Sequence, residues 1–186
     1  RAAFFLPVIV SGVVVTILWQ QLFGFDSGLF NRMLVAVGFS KVGWLIDPNI
    51  AMGSIAIMAT WKNVGLYVIL FLVGLQTVPV HYYEAASIEG ASHWQKFRKI
   101  TLPLINPTIF MVVILSTIGG FSLFIEPYIM TGGGPLSSTM SSVLYVYKQA
   151  FEYFHMGYSV TLGFFFAMLI LGVVVLQKRY LERGED

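Results

Sequence analysis

The chain has 186 residues, of which 57% are hydrophobic and only 11% are charged, and its mean hydropathy is +0.79. A soluble domain usually carries about 25% charged residues, so this chain lacks the polar side chains that a water-facing surface needs, and a membrane protein is expected. The net charge of +2 excludes a nucleic-acid-binding surface, and the absence of cysteine excludes disulfides, thiol nucleophiles and cysteine-ligated metals.

Four segments are long and apolar enough to span a bilayer as helices. About 20 mainly apolar residues are needed, because a helix rises about 1.5 Å per residue and the hydrocarbon core is roughly 30 Å thick. The predicted spans are residues 2–23, 51–77, 103–126 and 156–177. We therefore expect an all-α membrane helix bundle in one transmembrane domain, residues 1–186. Since the chain begins at Arg1 and not at Met, it is expected to be a fragment of a longer protein.

Basic residues predict the orientation of the spans, because short cytoplasmic loops are enriched in Lys and Arg. One side of the four spans receives seven of them: Arg1, Lys96, Arg98, Lys99, Lys178, Arg179 and Arg183. The opposite side receives three: Arg32, Lys41 and Lys148. Residues 78–102 are therefore predicted to be cytoplasmic, and residues 24–50 and 127–155 extracytoplasmic. The basic trio in the cytoplasmic loop is expected to contact lipid head groups.

The predicted cytoplasmic loop, residues 78–102, contains a short acidic helix that ends at a glycine. From Glu84 the sequence runs EAASIEGASHWQKFRKITLPLINP. Pro79 suits the first turn of a helix, since its missing N–H would have no partner there. Gly90 can end the helix, because glycine tolerates the left-handed backbone that a helix C-terminus often requires. Residues 80–89 are thus predicted to form a small helix that projects into the cytoplasm.

This string resembles the hallmark loop of the permease subunits of binding-protein-dependent ABC importers, in which EAA precedes a glycine and ITLP. Glu89 stands where that family more often has Asp. The strings LFNRMLVAVGF, FLVGLQTVP and TGGGP and the Trp61-Lys62 pair are similar to the carbohydrate-uptake subgroup, relatives of the maltose and glycerol-phosphate permeases. The resemblance covers essentially the whole chain. It implies a six-span helix bundle of which about the first two spans are missing here.

The resemblance also implies a transport mechanism that relies on partner subunits. In such importers two permeases form the pore, two ATPase subunits bind ATP in the cytoplasm, and an extracytoplasmic binding protein delivers the substrate. The permease is then a protein of the inner, cytoplasmic membrane, with no enzymatic activity or cofactor of its own, and its pore partner is expected to be a homologous permease. The EAA helix docks in a groove of the ATPase. By correspondence, the coupling residues would be Glu84, Ala85, Ala86, Ser87, Glu89, Gly90 and Ala91.

Polar residues inside the spans are candidate substrate contacts, because a charge at the bilayer centre costs about 2.5–3.5 kcal/mol on insertion scales. In the resembling permeases, the spans on either side of the EAA loop line the substrate cavity. The predicted substrate pathway consists of Lys62, Asn63, Tyr67, Ser116, Gly120 and Glu126. For Lys62, snorkelling to the surface or pairing with an acid such as Glu126 remain alternatives. The expected substrate is a sugar, a polyol or a sugar phosphate.

Two other classes of membrane protein are alternatives. A membrane-embedded hydrolase would need a nucleophile–base pair or metal ligands in the spans, and the sequence holds neither GxSxG nor HExxH. Its histidines, at positions 81, 93 and 155, are too far apart in sequence to predict a metal site. A self-contained carrier or channel would not need an EAA loop. Dependence on ATP and on partner subunits separates the importer from both alternatives.

Overall fold

The computed structural model describes residues 7–182, with side chains up to residue 179. Within that range the secondary structure is helical, and no strand occurs. The predicted all-α class is confirmed. The first predicted span, residues 2–23, begins outside the described range; residues 7–9 are helical and α1 follows them.

The helices differ widely in length, from one turn to more than seven. In chain order they are α1 Gly12–Leu22, α2 Leu29–Ala36, α3 Ala51–Gln76, α4 Val80–Ile88, α5 His93–Lys96, α6 Asn106–Phe121, α7 Ile125–Thr131, α8 Ser142–Tyr147 and α9 Met156–Glu182. Two π-helical turns, Phe97–Thr101 and Lys148–Glu152, follow α5 and α8, and a single helical turn, Leu102–Leu104, precedes α6.

Three helical segments among residues 7–182 are long and apolar enough to cross a membrane: Ala51–Gln76, Asn106–Thr131 and Met156–Arg179. They correspond to α3, to α6 with α7, and to α9. The 11 residues of α1 are also apolar, but at 1.5 Å per residue they extend only about 16 Å. Large apolar side chains cover the outside of α9, where Phe165 is 72% exposed. Such a surface suits lipid and not water.

The segment predicted as one span, residues 103–126, is divided in the structure. Ile105 ends the short turn before α6, and residues 122–124 separate α6 from α7. Pro103 and Pro107 occupy first-turn positions of the helical pieces that they begin. Proline is tolerated there because the backbone N–H of the first turn has no partner inside the helix.

Helices α3 and α6 approach each other closely at Gly74. A Cβ atom added to Gly74 would overlap Thr108 Oγ1 and would lie only 2.8 Å from Thr108 Cγ2. Small residues at such crossings let two helix backbones pack directly against each other. The contact therefore joins the end of α3 to the start of α6, beside the loop that connects them.

Helix α9 supports α6 and α8 from the other side. Gln177 Nε2 donates to Thr117 Oγ1 of α6 at 2.8 Å, and Ser159 Oγ donates to the Val146 carbonyl of α8 at 3.0 Å. The rings of Phe121 and Phe166 also pack between α6 and α9, with centroids 6.2 Å apart. These contacts hold α6 between α3 and α9.

A buried amide organises the loop between α1 and α3. Asn31 is 1% exposed; its Nδ2 donates to the carbonyls of Phe25 at 3.0 Å and Val42 at 2.9 Å. Its Oδ1 accepts from Val42 N–H and from Trp44 Nε1, both at 3.0 Å. The amide thus uses both donor hydrogens and accepts two bonds. The sequence analysis treated this segment only as an amphipathic piece and missed the role of Asn31.

Candidate functional site

The helix α4 ends as the sequence predicts, at a glycine with a left-handed backbone. Gly90 has φ +76°, its N–H donates to the Ser87 carbonyl at 3.1 Å, and Ala91 N–H donates to the Ala86 carbonyl at 2.9 Å. These two bonds form a Schellman motif, which satisfies carbonyls that the last turn of a helix otherwise leaves free. No atom lies within 4 Å of the position that a Gly90 Cβ would take. The turn therefore needs glycine for its backbone angle and not for space.

The predicted coupling residues form an exposed surface on α4 and its C-terminal turn. Five of them are exposed and the other two are partly buried; the exposed ones are Glu84, Ala85, Ser87, Glu89 and Gly90, and the partly buried ones are Ala86 and Ala91. Ile88 lies among them with 88% of its surface exposed. An apolar side chain that projects this far, between acidic and small residues, suits contact with another protein surface.

Tyr83 and Ser87, one turn apart on α4, attach the helix to the segment that leads into α6. Tyr83 OH and Thr101 Oγ1 are 2.8 Å apart, and Lys96 Nζ donates to Ser87 Oγ at 2.6 Å. Lys96 thus makes a bond inside the loop, and Arg98 and Lys99 are exposed; contact of this basic trio with lipid head groups stays a prediction.

A capping box starts the second short helix of the loop. Ser92 Oγ accepts from Gln95 N–H at 3.3 Å, and Ser92 N–H donates to Gln95 Oε1 at 2.7 Å. The sequence signal for this motif, Ser followed three residues later by Gln, is present in the chain but was missed. The box fixes where α5 begins and so sets the distance between α4 and α6.

Four of the predicted substrate-pathway residues line one cavity between α3 and α6, with a volume of about 350 Å³. They are Asn63, Tyr67, Ser116 and Gly120. The cavity is also lined by residues that the sequence analysis did not select: Ala56, Ala59, Thr60, Gly119 and Leu123. Helical spacing could have found Thr60, because Thr60, Asn63 and Tyr67 recur every three or four residues along one face of α3.

The cavity presents uncharged polar groups. Asn63 Nδ2 donates to the Ala59 carbonyl at 2.8 Å, and Ser116 Oγ donates to the Val113 carbonyl at 3.0 Å. Both side chains keep an oxygen that can accept a hydrogen bond from a bound molecule. With the hydroxyl groups of Tyr67 and Thr60, they provide donors and acceptors that suit a polyhydroxylated ligand.

The other two predicted residues, Lys62 and Glu126, lie outside this cavity and pair with each other. Lys62 Nζ is 3.6 Å from Glu126 Oε1, and the two side chains are 18% and 9% exposed. Of the alternatives left open for Lys62, the structure shows pairing. Gly12 of α1 makes room for the ammonium group, since a Cβ on Gly12 would lie 2.6 Å from Lys62 Nζ. The pair thus joins α3 to α7 beside α1.

Comparison with known proteins gives the family of the chain. Residues 2–184 match the family of binding-protein-dependent transport system inner membrane components. The chain belongs to this family. Membership confirms the predicted resemblance and a location in the cell membrane as a multi-pass protein.

Two curated relatives are sugar transport permeases. AraP of Bacillus subtilis (strain 168), an arabinooligosaccharides transport system permease protein, is 35% identical over 96% of this chain and 58% of its own length. LacF of Rhizobium radiobacter, a lactose transport system permease protein, is 36% identical over 95% of this chain and 61% of its own length. The chain therefore spans about three fifths of the length of these relatives.

A solved structure has the same fold. The bacterial alginate ABC transporter, crystallised in complex with an alginate pentasaccharide-bound periplasmic protein, contains a chain that superposes with a TM-score of 0.84. The match has 24% sequence identity and covers 97% of this chain and 63% of the other. The predicted permease-type helix bundle is confirmed.

Removing one member of the Lys62–Glu126 pair should destabilise the helix bundle. We expect Lys62→Met or Glu126→Gln alone to lower the free energy of unfolding by on the order of 3 kcal/mol, because each leaves one largely buried group without its partner. The double variant should cost less than the sum of the two. Thermal unfolding in detergent measures these effects.

Lys41→Met provides the matched control. Lys41 pairs with Asp26 at 3.1 Å, but the two side chains are 41% and 87% exposed. Its loss should cost less than about 1 kcal/mol. Two results would contradict a buried stabilising pair. One is an equal loss of unfolding free energy in Lys41→Met and Lys62→Met, and the other is a strictly additive loss when Lys62→Met and Glu126→Gln are combined.

Proposed function

We propose that this chain forms half of the membrane pore of an ATP-driven importer for a sugar or polyol. Its loop 78–102 would face the cytoplasm and dock α4 on an ATPase subunit. ATP would be bound by that partner, and the chain itself would hold no cofactor. The second half of the pore would be a homologous permease, and an extracytoplasmic binding protein would deliver the substrate.

The exposed face of α4 carries this proposal. An isolated connector would not need an apolar side chain such as Ile88 at its most exposed position, nor a helix end fixed by Gly90. Tyr83 OH is bonded to Thr101 Oγ1, and Ser87 Oγ accepts a hydrogen bond from Lys96 Nζ, so α4 is attached to the following segment. The helix is thus held in place while Glu84, Ala85 and Glu89 stay exposed, which suits a rigid element that enters a groove.

The lining of the cavity supports an uncharged substrate. Its polar groups are an amide and hydroxyls, and the nearby charges of Lys62 and Glu126 are engaged with each other. Among the expected substrates, this favours a sugar or polyol over a sugar phosphate. The relatives named for arabinooligosaccharides and lactose support the same class.

The alternatives differ in their need for energy and partners. A secondary carrier or channel would transport without ATP, and a membrane-embedded hydrolase would act without an ATPase. Family membership supports the importer over both. Transport in liposomes by the full-length protein with its partner permease and binding protein, measured with and without ATP and the ATPase, separates the three classes.

Changes in the coupling loop should release the ATPase without preventing membrane insertion. We expect Glu84→Lys to weaken co-purification of the full-length protein with its ATPase at least about tenfold, because it places a positive charge where an acidic group would meet a basic one. Gly90→Asp should have a similar effect, because a side chain strains a backbone with φ +76°. Co-purification after mild detergent extraction measures the association.

Gly38→Asp is the matched control for Gly90→Asp. Gly38 also has a positive φ, +88°, and open space around it, but it lies in the predicted extracytoplasmic loop. It should insert and retain the ATPase. Coupling through α4 would be contradicted if Gly38→Asp also lost the ATPase, or if Glu84→Lys and Gly90→Asp both retained it.

Filling the cavity should stop transport while leaving the ATPase bound. Gly120 lines the cavity with no neighbour within 4 Å of its Cβ position, so Gly120→Leu can be accommodated and would occupy the space. We expect uptake of a fitting sugar to fall at least about tenfold, because a leucine side chain in the cavity would overlap the ligand. Uptake into cells that depend on the importer measures the effect.

Gly172→Leu serves as the comparison for that substitution. Gly172 is equally unobstructed but lies exposed on α9, away from the cavity. Normal uptake is expected. If Gly120→Leu transports as well as Gly172→Leu, the cavity is not the substrate pathway.

A further inference from the structure

The hydroxyl groups of Tyr83 and Thr101 connect the two ends of the predicted cytoplasmic loop. They are 2.8 Å apart although the residues are separated by 18 positions in the chain. Tyr83 lies in the middle of α4, and Thr101 is the last residue of the π-helical turn that leads into α6. The bond therefore crosses the whole turn that contains Gly90.

Thr101 Oγ1 also lies 3.5 Å from the Lys96 carbonyl, to which it can donate a long hydrogen bond. With Tyr83 as the donor to Thr101, the two bonds would run in series, an arrangement in which each strengthens the other. Thr101 is 8% exposed, so loss of the Tyr83 hydroxyl would leave a buried oxygen with one partner fewer.

Without this bond, the link between α4 and the following segment would rest on the backbone turn at Gly90 and on one exposed side-chain bond. Residues 89 and 90 are exposed, and no atom lies within 4 Å of the Gly90 Cβ position. The Lys96–Ser87 bond is also exposed, so water competes with it. The Tyr83–Thr101 bond is thus the partly buried side-chain contact that spans the turn.

Thr101 is directly continuous with the cavity helix. Ile105 N–H donates to the Thr101 carbonyl at 3.0 Å, and Ile109 N–H donates to the Ile105 carbonyl at 3.0 Å, so backbone bonds continue into α6. The start of α6 packs against Gly74 of α3 through Thr108. A displacement of Thr101 would therefore move both helices that line the cavity.

We infer that Tyr83 and Thr101 are positioning residues that transmit movement of α4 to α6, and this inference rests on the proposed function. Because of their bond, α4 and the start of α6 would move together as one rigid body. An ATPase that pulls on α4 then alters the cavity at Ser116 and Gly120. When the bond is removed, the ATPase still binds α4, but its movement is taken up by the turn at Gly90.

A cysteine in the cavity can report this movement, because residues 1–186 contain no other cysteine and any cysteine in the rest of the full-length protein or in its partners is first replaced by serine. The experiment uses full-length protein carrying Gly120→Cys, assembled with its ATPase and partner permease in lipid nanodiscs. The rate of modification by N-ethylmaleimide is measured without nucleotide and after trapping with ATP and vanadate. The ratio of the two rates is the response of the cavity to ATP.

We expect Tyr83→Phe and Thr101→Val each to reduce this response about fivefold, the factor that corresponds to one net hydrogen bond. ATPase binding and basal ATP hydrolysis should be unchanged. The double variant should be no worse than either single one, because both remove the same bond. Thr101→Ser keeps the hydroxyl and should restore the response, which a loss of packing alone would not predict.

Two controls remove similar groups elsewhere. Tyr153→Phe alters an exposed tyrosine outside the loop, and Thr161→Val removes a hydroxyl that bonds only to its own helix at Gly157. Neither should change the response. Three results would overturn the inference while the proposed function stands. They are a normal response in Tyr83→Phe and Thr101→Val, additive losses in the double variant, and loss of ATPase binding. If the Gly120→Cys protein without further changes binds no ATPase and shows no response, the proposed function fails as well.

Discussion

The ion pair between Lys62 and Glu126 is the interaction on which the arrangement of the bundle depends. It lies where α1, α3 and α7 meet, among helices whose outer surfaces are apolar. In such surroundings an unpaired charge costs several kcal/mol, so the two side chains favour the one packing in which they meet. Gln20 of α1 reinforces that packing, since its Nε2 donates to backbone carbonyls of α7 at 3.2 and 3.3 Å.

The ion pair fixes the middle of α3 against α7, and the C-terminal end of α3 packs against α6. There Gly74 brings the two helices together, and the cavity opens farther along α3, from Tyr67 past the level of Lys62 to Ala56. The helices therefore meet at one end beside the loop and separate toward the polar groups of Asn63 and Ser116. A movement applied at the loop would act directly on the end where the helices touch, which is the arrangement that the proposed importer requires.

Sequence alone predicted the features that depend on residue type and local spacing. Gly90 ends α4 with a left-handed backbone because few other residues adopt it. Four of the predicted pathway residues share a cavity between the two helices that, by the resemblance, were expected to line one. The bond between Tyr83 and Thr101 joins distant positions and has no local signal. The hydrogen bonds of Asn31 likewise required the folded loop, since asparagine at an amphipathic helix is ordinarily a solvated residue.

Labelling of Ile88→Cys tests most directly whether α4 is the surface that meets an ATPase. Residues 1–186 contain no cysteine, any cysteine elsewhere in the full-length protein is replaced by serine, and Ile88 is 88% exposed. In membrane vesicles with the full-length protein, a membrane-impermeant maleimide should label this cysteine only from the cytoplasmic side, and addition of the ATPase should block labelling. Leu136→Cys, at a position that is 89% exposed in the predicted extracytoplasmic loop, should react only from the opposite side and be unaffected. Docking of the ATPase on α4 would be contradicted if bound ATPase left the labelling of Ile88→Cys unchanged, or if this cysteine reacted from the extracytoplasmic side.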